Sequence, residues 1–211
     1  LLSGTATLAE VCPQETSLSS LLRQVVGSRG REKLGRALRS LIKDGQAALA
    51  AGQRIRIVEI SQGSPWFAMD ICGVLDFDRG DYSFFTSSSA ILENEFGRLQ
   101  DAFPAIHGQL LAELPPAAGI PTPRCDLAIV TLDFDTIDQA LQALDYARQR
   151  LAPDASLLVV GQHPSRWIDF VFGARASAWT PDAQGNCLSN QRPSTFWQQH
   201  LQSLGLQCAE P

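Results

Sequence analysis

The sequence has little of what marks metal sites, disulfide frameworks or membrane spans. Its five cysteines are scattered without a C-x-x-C pair, so neither a zinc site nor a disulfide framework is indicated, and free thiols in a reducing cytoplasm fit best. The three histidines, His107, His163 and His200, have no ligand-like neighbour three or four residues further on. No uninterrupted apolar run of about 18 residues is present, which makes a membrane span unlikely. We therefore expect no metal site and no membrane role.

The charge balance argues weakly against a nucleic-acid partner, because the formal net charge is −5. Basic residues form one local run: Arg29, Arg31, Lys33, Arg36, Arg39 and Lys43. The favoured interpretation is the solvated face of a helix, and the alternative is a docking surface for an acidic partner. The chain begins at Leu1 without a signal-peptide pattern and ends abruptly at "LQCAEP". We expect it to be a cytoplasmic piece of a longer polypeptide.

The pattern of apolar residues changes at residue 54. Before it, "SLSSLLRQVV" and "REKLGRALRSLIKDGQAALAAG" have the apolar spacing of amphipathic helices. After it, compact apolar runs alternate with helical segments at spacings too wide for hairpins, which predicts right-handed βαβ units in a doubly wound parallel sheet. We expect an N-terminal helical extension or lid over residues 1–53 and an α/β core over residues 54–211 with its C-terminal strands truncated.

Strands and helices can be assigned along this core. The predicted strands are "RIRIVEI" (54–60), "YSFFT" (82–86), "HGQLLAEL" (107–114), "CDLAIVTL" (125–132) and "SLLVVGQ" (156–162), with "LQC" (206–208) starting another. The predicted helices are "WFAMDICGVL", "SSAILENEFGRLQDAF", a segment that begins at Asp135 or Thr136, and "PSTFWQQHLQSLG" (193–205).

The first loop of the core is the main candidate for a binding site, because ligands of open α/β sheets bind beyond the carboxyl ends of the strands. A glycine-rich loop there lets a ligand approach the backbone amides closely. In "IVEISQGSP" only Gly63 permits such an approach, whereas Ser61 adds a side chain and Pro65 removes an amide donor. Pro65 also suits the first turn of a helix. The second strand ends at Thr86, where nucleoside-binding folds place an acidic residue, and the serines after it are interpreted as helix caps.

The acidic stretch "LDFDTID" (132–138) offers metal ligands or an acid/base pair as one interpretation. The favoured one is structural, because Asp133 and Asp135 end a strand, and Asp135, Thr136 and Asp138 lie at the amino end of a helix, where carboxylates are stabilised. No Ser-His-Asp ordering and no G-x-S-x-G motif is present.

Two segments near the end of the chain carry a family resemblance. "RWIDFVFGARASAWT" and "RPSTFWQQHLQSLGL" resemble the region after the fifth strand in the C-methyltransferase domains of type I polyketide synthases. The matching positions are Asp169, Phe170, Phe172, Gly173, Trp179, Trp197 and Gly205. The resemblance covers residues 54–205 and implies a class I methyltransferase-like (Rossmann-like) fold, a three-layer sandwich with a mostly parallel sheet. It also implies S-adenosylmethionine as methyl donor and a β-ketoacyl chain on a carrier protein as substrate.

The functional positions of that family do not carry over to this sequence. The family's E-x-G-x-G-x-G loop falls on Glu59, Ser61, Gly63 and Pro65, and its second-strand acidic residue falls on Thr86. Its catalytic histidine falls on Phe134 or Asp135, the partner glutamate on Gly161 or Gln162, and a glycine pair on Asp154 and Ala155. Each lost cofactor contact would cost about 1–3 kcal/mol of binding, and a lost general base about a hundredfold in rate. The vestigial cofactor-pocket positions are Glu59, Ser61, Gly63, Pro65, Thr86 and Asp135.

The resemblance with these departures predicts a degenerate, non-catalytic pseudo-C-methyltransferase domain of a polyketide or fatty-acid-type synthase, with no catalytic residue and no cofactor. Its expected role is architectural, within a parent synthase that is itself an acyltransferase. The expected partners are the neighbouring domains of that synthase, with an acyl carrier protein as a further candidate. One alternative is an active S-adenosylmethionine-dependent C-methyltransferase, with His163 as base and Asp133 or Asp135 orienting it. Another is a ligand- or carrier-protein-binding module that reuses the crevice, which Trp66 and Phe67 would exclude by filling the pocket.

Overall fold

The computed structural model describes residues 28–111, 124–134, 136–166, 169, 179–181, 184 and 187–208. The helices are α1 (Ser28–Ala48), α2 (Ala68–Cys72), α3 (Ser89–Ile91), a π-helical segment (Leu92–Phe96), α4 (Gly97–Ala102), α5 (Ile137–Arg150) and α6 (Ser194–Ser203). The strands are β1 (Ile55–Ile60), β2 (Gly80–Thr86), β3 (His107–Leu110), β4 (Cys125–Thr131), β5 (Leu151–Val160), β6 (Trp179–Pro181) and β7 (Cys187–Ser189).

The central sheet has five strands in the order β3-β2-β1-β4-β5, and every neighbouring pair is parallel. After β3 the chain crosses back over the sheet, so that β4 lies beside β1. The carboxyl ends of β1 and β4 are therefore adjacent at the point where the strand order reverses, which is where open α/β sheets bind ligands. β6 and β7 form a separate antiparallel pair. The predicted doubly wound parallel sheet is confirmed.

Alternation along the strands produces two apolar layers, one on each face of the sheet. On the first face, Ile57, Tyr82 and Ile129 pack with apolar residues of α1, α2 and the π-helical segment. On the second face, Val58 and Val130 pack with residues of α5 and with partly buried residues of α6. Strands buried on both faces need nearly continuous apolar sequence, which explains the compact runs that predicted them.

Helix α1 packs onto α2 and onto the loop before it. Its residues Leu38 and Ile42 lie in the apolar layer of the first face. From the basic run, Arg31 and Arg39 both reach Asp70 of α2, each with a nitrogen–oxygen distance of 3.0 Å. Arg31 also donates to the Trp66 carbonyl at 2.8 Å. These two arginines therefore anchor the helix, while Lys33, Arg36 and Lys43 of the run are exposed.

Four predicted elements differ from the structure or extend beyond its described part. The helix predicted over 66–75 is shorter, Ala68–Cys72, because the Phe67 amide donates to the Glu59 carboxylate and the Gly73 amide closes the far end onto the Met69 carbonyl. The prediction of a strand over 206–208 is wrong: Gly205 has a φ of +81°, and the Leu206 amide turns back to the Leu201 carbonyl. The helix predicted in "SLSSLLRQVV" and the end of the third predicted strand lie outside the described residues.

Candidate functional site

The loop between β1 and α2, residues 61–67, lies at the reversal point of the strand order. Ser61 is fully buried, and its amide donates to the Phe85 carbonyl of β2 at 3.1 Å, which extends the β1–β2 pairing by one residue. Ser64 is also buried. The loop therefore lies against the ends of its neighbouring strands, and its polar groups must find partners within the protein.

Asp133, which follows β4, supplies most of these partners. One carboxylate oxygen accepts from Ser61 Oγ at 2.7 Å and from the Gly63 amide at 3.2 Å. The other oxygen accepts from the Gln62 amide at 3.0 Å. Burial raises the pKa of Asp133 to about 6, although these hydrogen bonds act in the opposite direction. The carboxylate of Asp133 thus binds the two loop amides that a ligand anion would otherwise use.

Glu59, the penultimate residue of β1, points into the apolar layer on the first face of the sheet. It is fully buried, and its two carboxylate oxygens accept from the Tyr82 hydroxyl at 2.7 Å and from the Phe67 amide at 3.1 Å. Burial raises the pKa of Glu59 to about 7, against the effect of both hydrogen bonds. Glu59 therefore fixes the end of the loop, and its polar atoms face the protein interior.

Thr86, at the end of β2, is fully buried. Its hydroxyl donates to the Gln62 carbonyl at 3.0 Å and accepts from the Ser88 amide at 3.2 Å. Ser88 in turn caps α3, since its side chain accepts from the Ile91 amide, as the interpretation of these serines predicted. The hydroxyl of Thr86 is consequently engaged within the protein rather than directed at a ligand.

The remaining predicted positions that the structure describes lie outside this cluster. Gly161 follows β5, and a side chain there would meet Leu132 at 2.9 Å. His163 is exposed, and its Nδ1 lies 3.0 Å from the Pro164 carbonyl. Phe134 packs against the apolar layer on the second face. Asp135 lies outside the described residues, as do Phe170, Phe172 and Gly173.

Trp66 and Phe67 belong to the core of the first face. Phe67 is fully buried there, and Trp66 is half-buried against the same layer. Pro65 precedes them and has no amide to offer. Of the predicted pocket positions, the structure therefore brings together Glu59, Ser61, Gly63 and Thr86 around one loop.

Sequence reasoning missed the role of Asp133 and a groove on the other side of β4. The signal for Asp133 was its place two residues after β4, beside the β1 loop at the reversal point. The groove, about 1000 Å³ in volume, lies between β5 and α6. Its lining includes Leu132, His163, Trp197 and Leu201. The signal for it was the i, i+4 pair of apolar residues on α6.

The described residues contain neither a metal-binding cluster nor a membrane-spanning helix. Within those ranges, no three His, Cys, Asp or Glu side chains come together as a metal site requires. No helix in the same part of the chain combines the length and apolarity needed to cross a membrane.

Comparison with known proteins gives structural neighbours only. No protein-family model matches the chain, and no curated protein matches its sequence. Among solved structures, the CurJ carbon methyltransferase matches 99% of this chain with 21% identity and a TM-score of 0.71, and the DszA carbon methyltransferase matches 96% with 15% identity and a TM-score of 0.70. The CMeT domain of the citrinin polyketide synthase matches 88% with 18% identity and a TM-score of 0.56.

The chain spans little more than half the length of these structures: 58% of the CurJ chain, 55% of the DszA chain and 52% of the citrinin synthase chain. At such identities the likeness concerns the fold. The parallel five-stranded sheet with helices on both faces is the class I methyltransferase fold, Rossmann-like in its strand order. The neighbours named above are two carbon methyltransferases and the CMeT domain of a polyketide synthase.

Proposed function

We propose that this chain is a non-catalytic pseudo-C-methyltransferase domain of a type I polyketide or fatty-acid-type synthase, with an architectural role. The observation that carries the proposal is that the polar groups of the crevice bind one another. Asp133 accepts from the loop amides of Gln62 and Gly63, and Thr86 donates to the Gln62 carbonyl. A loop engaged in this way has few donors left for a cofactor.

S-adenosylmethionine, the methyl donor implied by the fold, does not fit these residues. Nucleoside-binding folds of this type bind ribose hydroxyls with a carboxylate at the end of the second strand. That position holds Thr86, whose hydroxyl is already bound on both sides. Ser61 fills space where the resemblance expects a glycine, and its hydroxyl also binds Asp133. These contacts support the proposal that the domain binds no cofactor.

Isothermal titration of the full chain with S-adenosylmethionine tests the proposal. We expect no binding heat at millimolar ligand, and no shift of the thermal unfolding midpoint, because the loop donors are occupied by the protein itself. An active carbon methyltransferase domain titrated in parallel is the positive control. Clear binding at micromolar ligand would contradict the proposed function.

An active C-methyltransferase is the second candidate, and the likeness of the backbone to carbon methyltransferases favours it. The test of this candidate is an assay with labelled S-adenosylmethionine, in which an active domain should transfer the methyl group to a β-ketoacyl carrier protein. This candidate also requires a base, and the sequence offers His163 for this role, oriented by Asp133 or by Asp135, which lies outside the described residues. Asp133 faces the loop through its three hydrogen bonds, whereas His163 lines the groove beside β5. If His163 is that base, H163A should lower the rate of any observed methyl transfer by about a hundredfold or more.

The proposed partners are neighbouring domains of the synthase and an acidic acyl carrier protein, in the cytoplasm. The surface that supports carrier-protein binding is the exposed part of the basic run on α1: Lys33, Arg36 and Lys43. Charge reversal of these residues should weaken binding of a carrier protein in a salt-dependent way. Reversal of Arg31 would instead disturb its anchor to Asp70, so it does not belong in that test. A module that binds a ligand or a carrier protein in the crevice remains the third candidate, to be tested by the same titrations.

A further inference from the structure

Three donors of the β1–α2 loop converge on one carboxylate. Ser61 Oγ, the Gln62 amide and the Gly63 amide, together called the loop cradle below, approach the Asp133 carboxylate at 2.7, 3.0 and 3.2 Å. Both carboxylate oxygens are used, and Asp133 is 7% exposed. Two of the three donors belong to the backbone, so the loop cradle depends mainly on the conformation of the loop. Consecutive amides that converge in this way form an anion-binding nest.

The loop cradle is held in place by contacts that do not involve Asp133. The Ser61 amide donates to the Phe85 carbonyl, and Thr86 donates to the Gln62 carbonyl. The peptide before Ser61 and the peptide that joins Gln62 to Gly63 are therefore fixed by β2. In the same loop, the buried hydroxyl of Ser64 has no hydrogen-bond partner among the described residues. The donors are preorganised for an acceptor, and a further buried hydroxyl lies in the loop that forms them.

We propose that Asp133 is a built-in ligand of this loop, and that the loop cradle is a latent binding site for the carboxylate of a small molecule, blocked in the native chain by Asp133. A tethered carboxylate competes at a high effective concentration, commonly in the millimolar range or above, without losing translational freedom on binding. The inference rests on the proposed function, because a loop filled by the chain's own carboxylate leaves no donors for an external anion.

Chemical rescue of Asp133→Ala in the full chain tests the inference. Removal of the carboxylate leaves the loop cradle without its acceptor, so the variant should be less stable than wild type. Formate should bind in its place: at a concentration ten times its dissociation constant, it should raise the folding equilibrium constant about elevenfold. Urea unfolding in sodium formate is compared with unfolding in sodium chloride of equal ionic strength, and the amide resonances of Gln62 and Gly63 report where formate binds.

Asp126→Ala is the matched control. Asp126 also accepts a backbone amide, that of Arg56 at 2.8 Å, but it is exposed at the other end of β4. Neither wild type nor D126A should gain more stability from formate than from chloride. A folded D133A that gains no more from formate than from chloride overturns the inference, and so does a formate effect that leaves the Gln62 and Gly63 amides unchanged.

Asp133→Asn keeps the inference testable if D133A does not fold. The amide side chain has the same shape but carries no charge and offers one acceptor oxygen in place of two. The Gln62 and Gly63 amide resonances should move upfield, and the variant should lose stability. Unchanged resonances overturn the inference. The proposed function is tested separately, by titration of the wild type with S-adenosylmethionine. Failure of the proposed function would therefore appear in the wild type with that cofactor, whereas failure of this inference would appear in the Asp133 variants.

Discussion

The ionisable carboxyl of Glu59 lies in an apolar layer, and this makes the free energy of unfolding depend on pH. The carboxyl is fully buried, which raises its pKa from the usual 4.5 to about 7. Below about pH 4.5 the group is neutral in both the folded and the unfolded chain. Between that pH and about 7 only the unfolded chain ionises, so the folded state loses relative stability as the pH rises. Asp133, with its pKa raised to about 6, acts in the same direction over a lower range.

Glu59→Gln should therefore flatten the pH dependence of stability. In wild type, the free energy of unfolding should fall by about 3 kcal/mol between about pH 4.5 and pH 8 on account of Glu59 alone. E59Q should lose that fall and keep the smaller one that comes from Asp133. Urea unfolding across this range measures it, and Glu93→Gln, which changes an exposed glutamate, is the control. A profile of E59Q parallel to that of wild type would contradict the burial argument.

Tyr82→Phe should destabilise the protein through the same carboxylate. The hydroxyl of Tyr82 donates to Glu59 at 2.7 Å, and its loss leaves a buried carboxylate with one donor fewer. We expect a loss of about 1–3 kcal/mol above pH 7, and a smaller loss at acidic pH, where Glu59 is protonated. Tyr146→Phe is the matched control, because it removes a tyrosine hydroxyl whose partner is the Arg150 guanidinium rather than a buried carboxylate. Equal losses in both variants would show that the Tyr82–Glu59 bond contributes nothing specific.

At the scale of the element, α1 is positioned by a single carboxylate from α2. One carboxylate oxygen of Asp70 accepts a hydrogen bond from Arg31 and the other from Arg39, and all three side chains are partly buried. The two arginines lie eight residues apart on α1, which places them on the same face, with Gly35 between them. A Cβ at Gly35 would lie 2.7 Å from Asp70 Oδ2, so the helices approach each other closely only because this residue has no side chain.

Gly35→Ala should thus be destabilising although alanine favours a helix. The added methyl group would displace Asp70 and break both of its ion pairs, at a cost of about 1 kcal/mol or more after the gain in helix propensity is counted. Gly30→Ala, at a position of α1 where an added Cβ meets none of the described residues within 4 Å, should instead stabilise by about 0.5–1 kcal/mol. Thermal and urea unfolding of the pair provide the measurement. If both variants are stabilised, the close approach of α1 and α2 is not a constraint.

At the scale of the whole molecule, the strand order and the two apolar layers follow from patterns that are visible in the sequence. The apolar run of β4 and the helical spacing of α5 are local signals, and α5 begins at Thr136 with a capping box, close to where it was predicted. The strand predicted at 206–208 failed because Leu206 follows a helix end closed by Gly205, where the backbone turns rather than extends.

The candidate site was only partly predictable for a different reason. Ser61, Gly63 and Thr86 were identified because each lies at a strand end that the fold brings to one crevice. The contact between Asp133 and the loop joins residues about 70 positions apart, and no local pattern encodes which acceptor a loop amide will find. Likewise, burial of Glu59 depends on the layer formed by other elements. An acidic residue at a strand end is by itself compatible with a cofactor role, and only the hydrogen bond from Tyr82 assigns Glu59 to the core.

Hydrogen exchange should reveal the order of the sheet in the intact chain. β1 and β4 lie in its interior, paired on both sides, and most of their residues are buried. Their amides, those of residues 57–60 and 127–130, should exchange only through global unfolding and be the slowest in the sheet. β3 is a four-residue edge strand with three exposed residues, so its amides should exchange fastest. Among the described residues β5 pairs only with β4, so its protection should alternate along the strand. Equal protection of β3 and β1 would contradict this strand order.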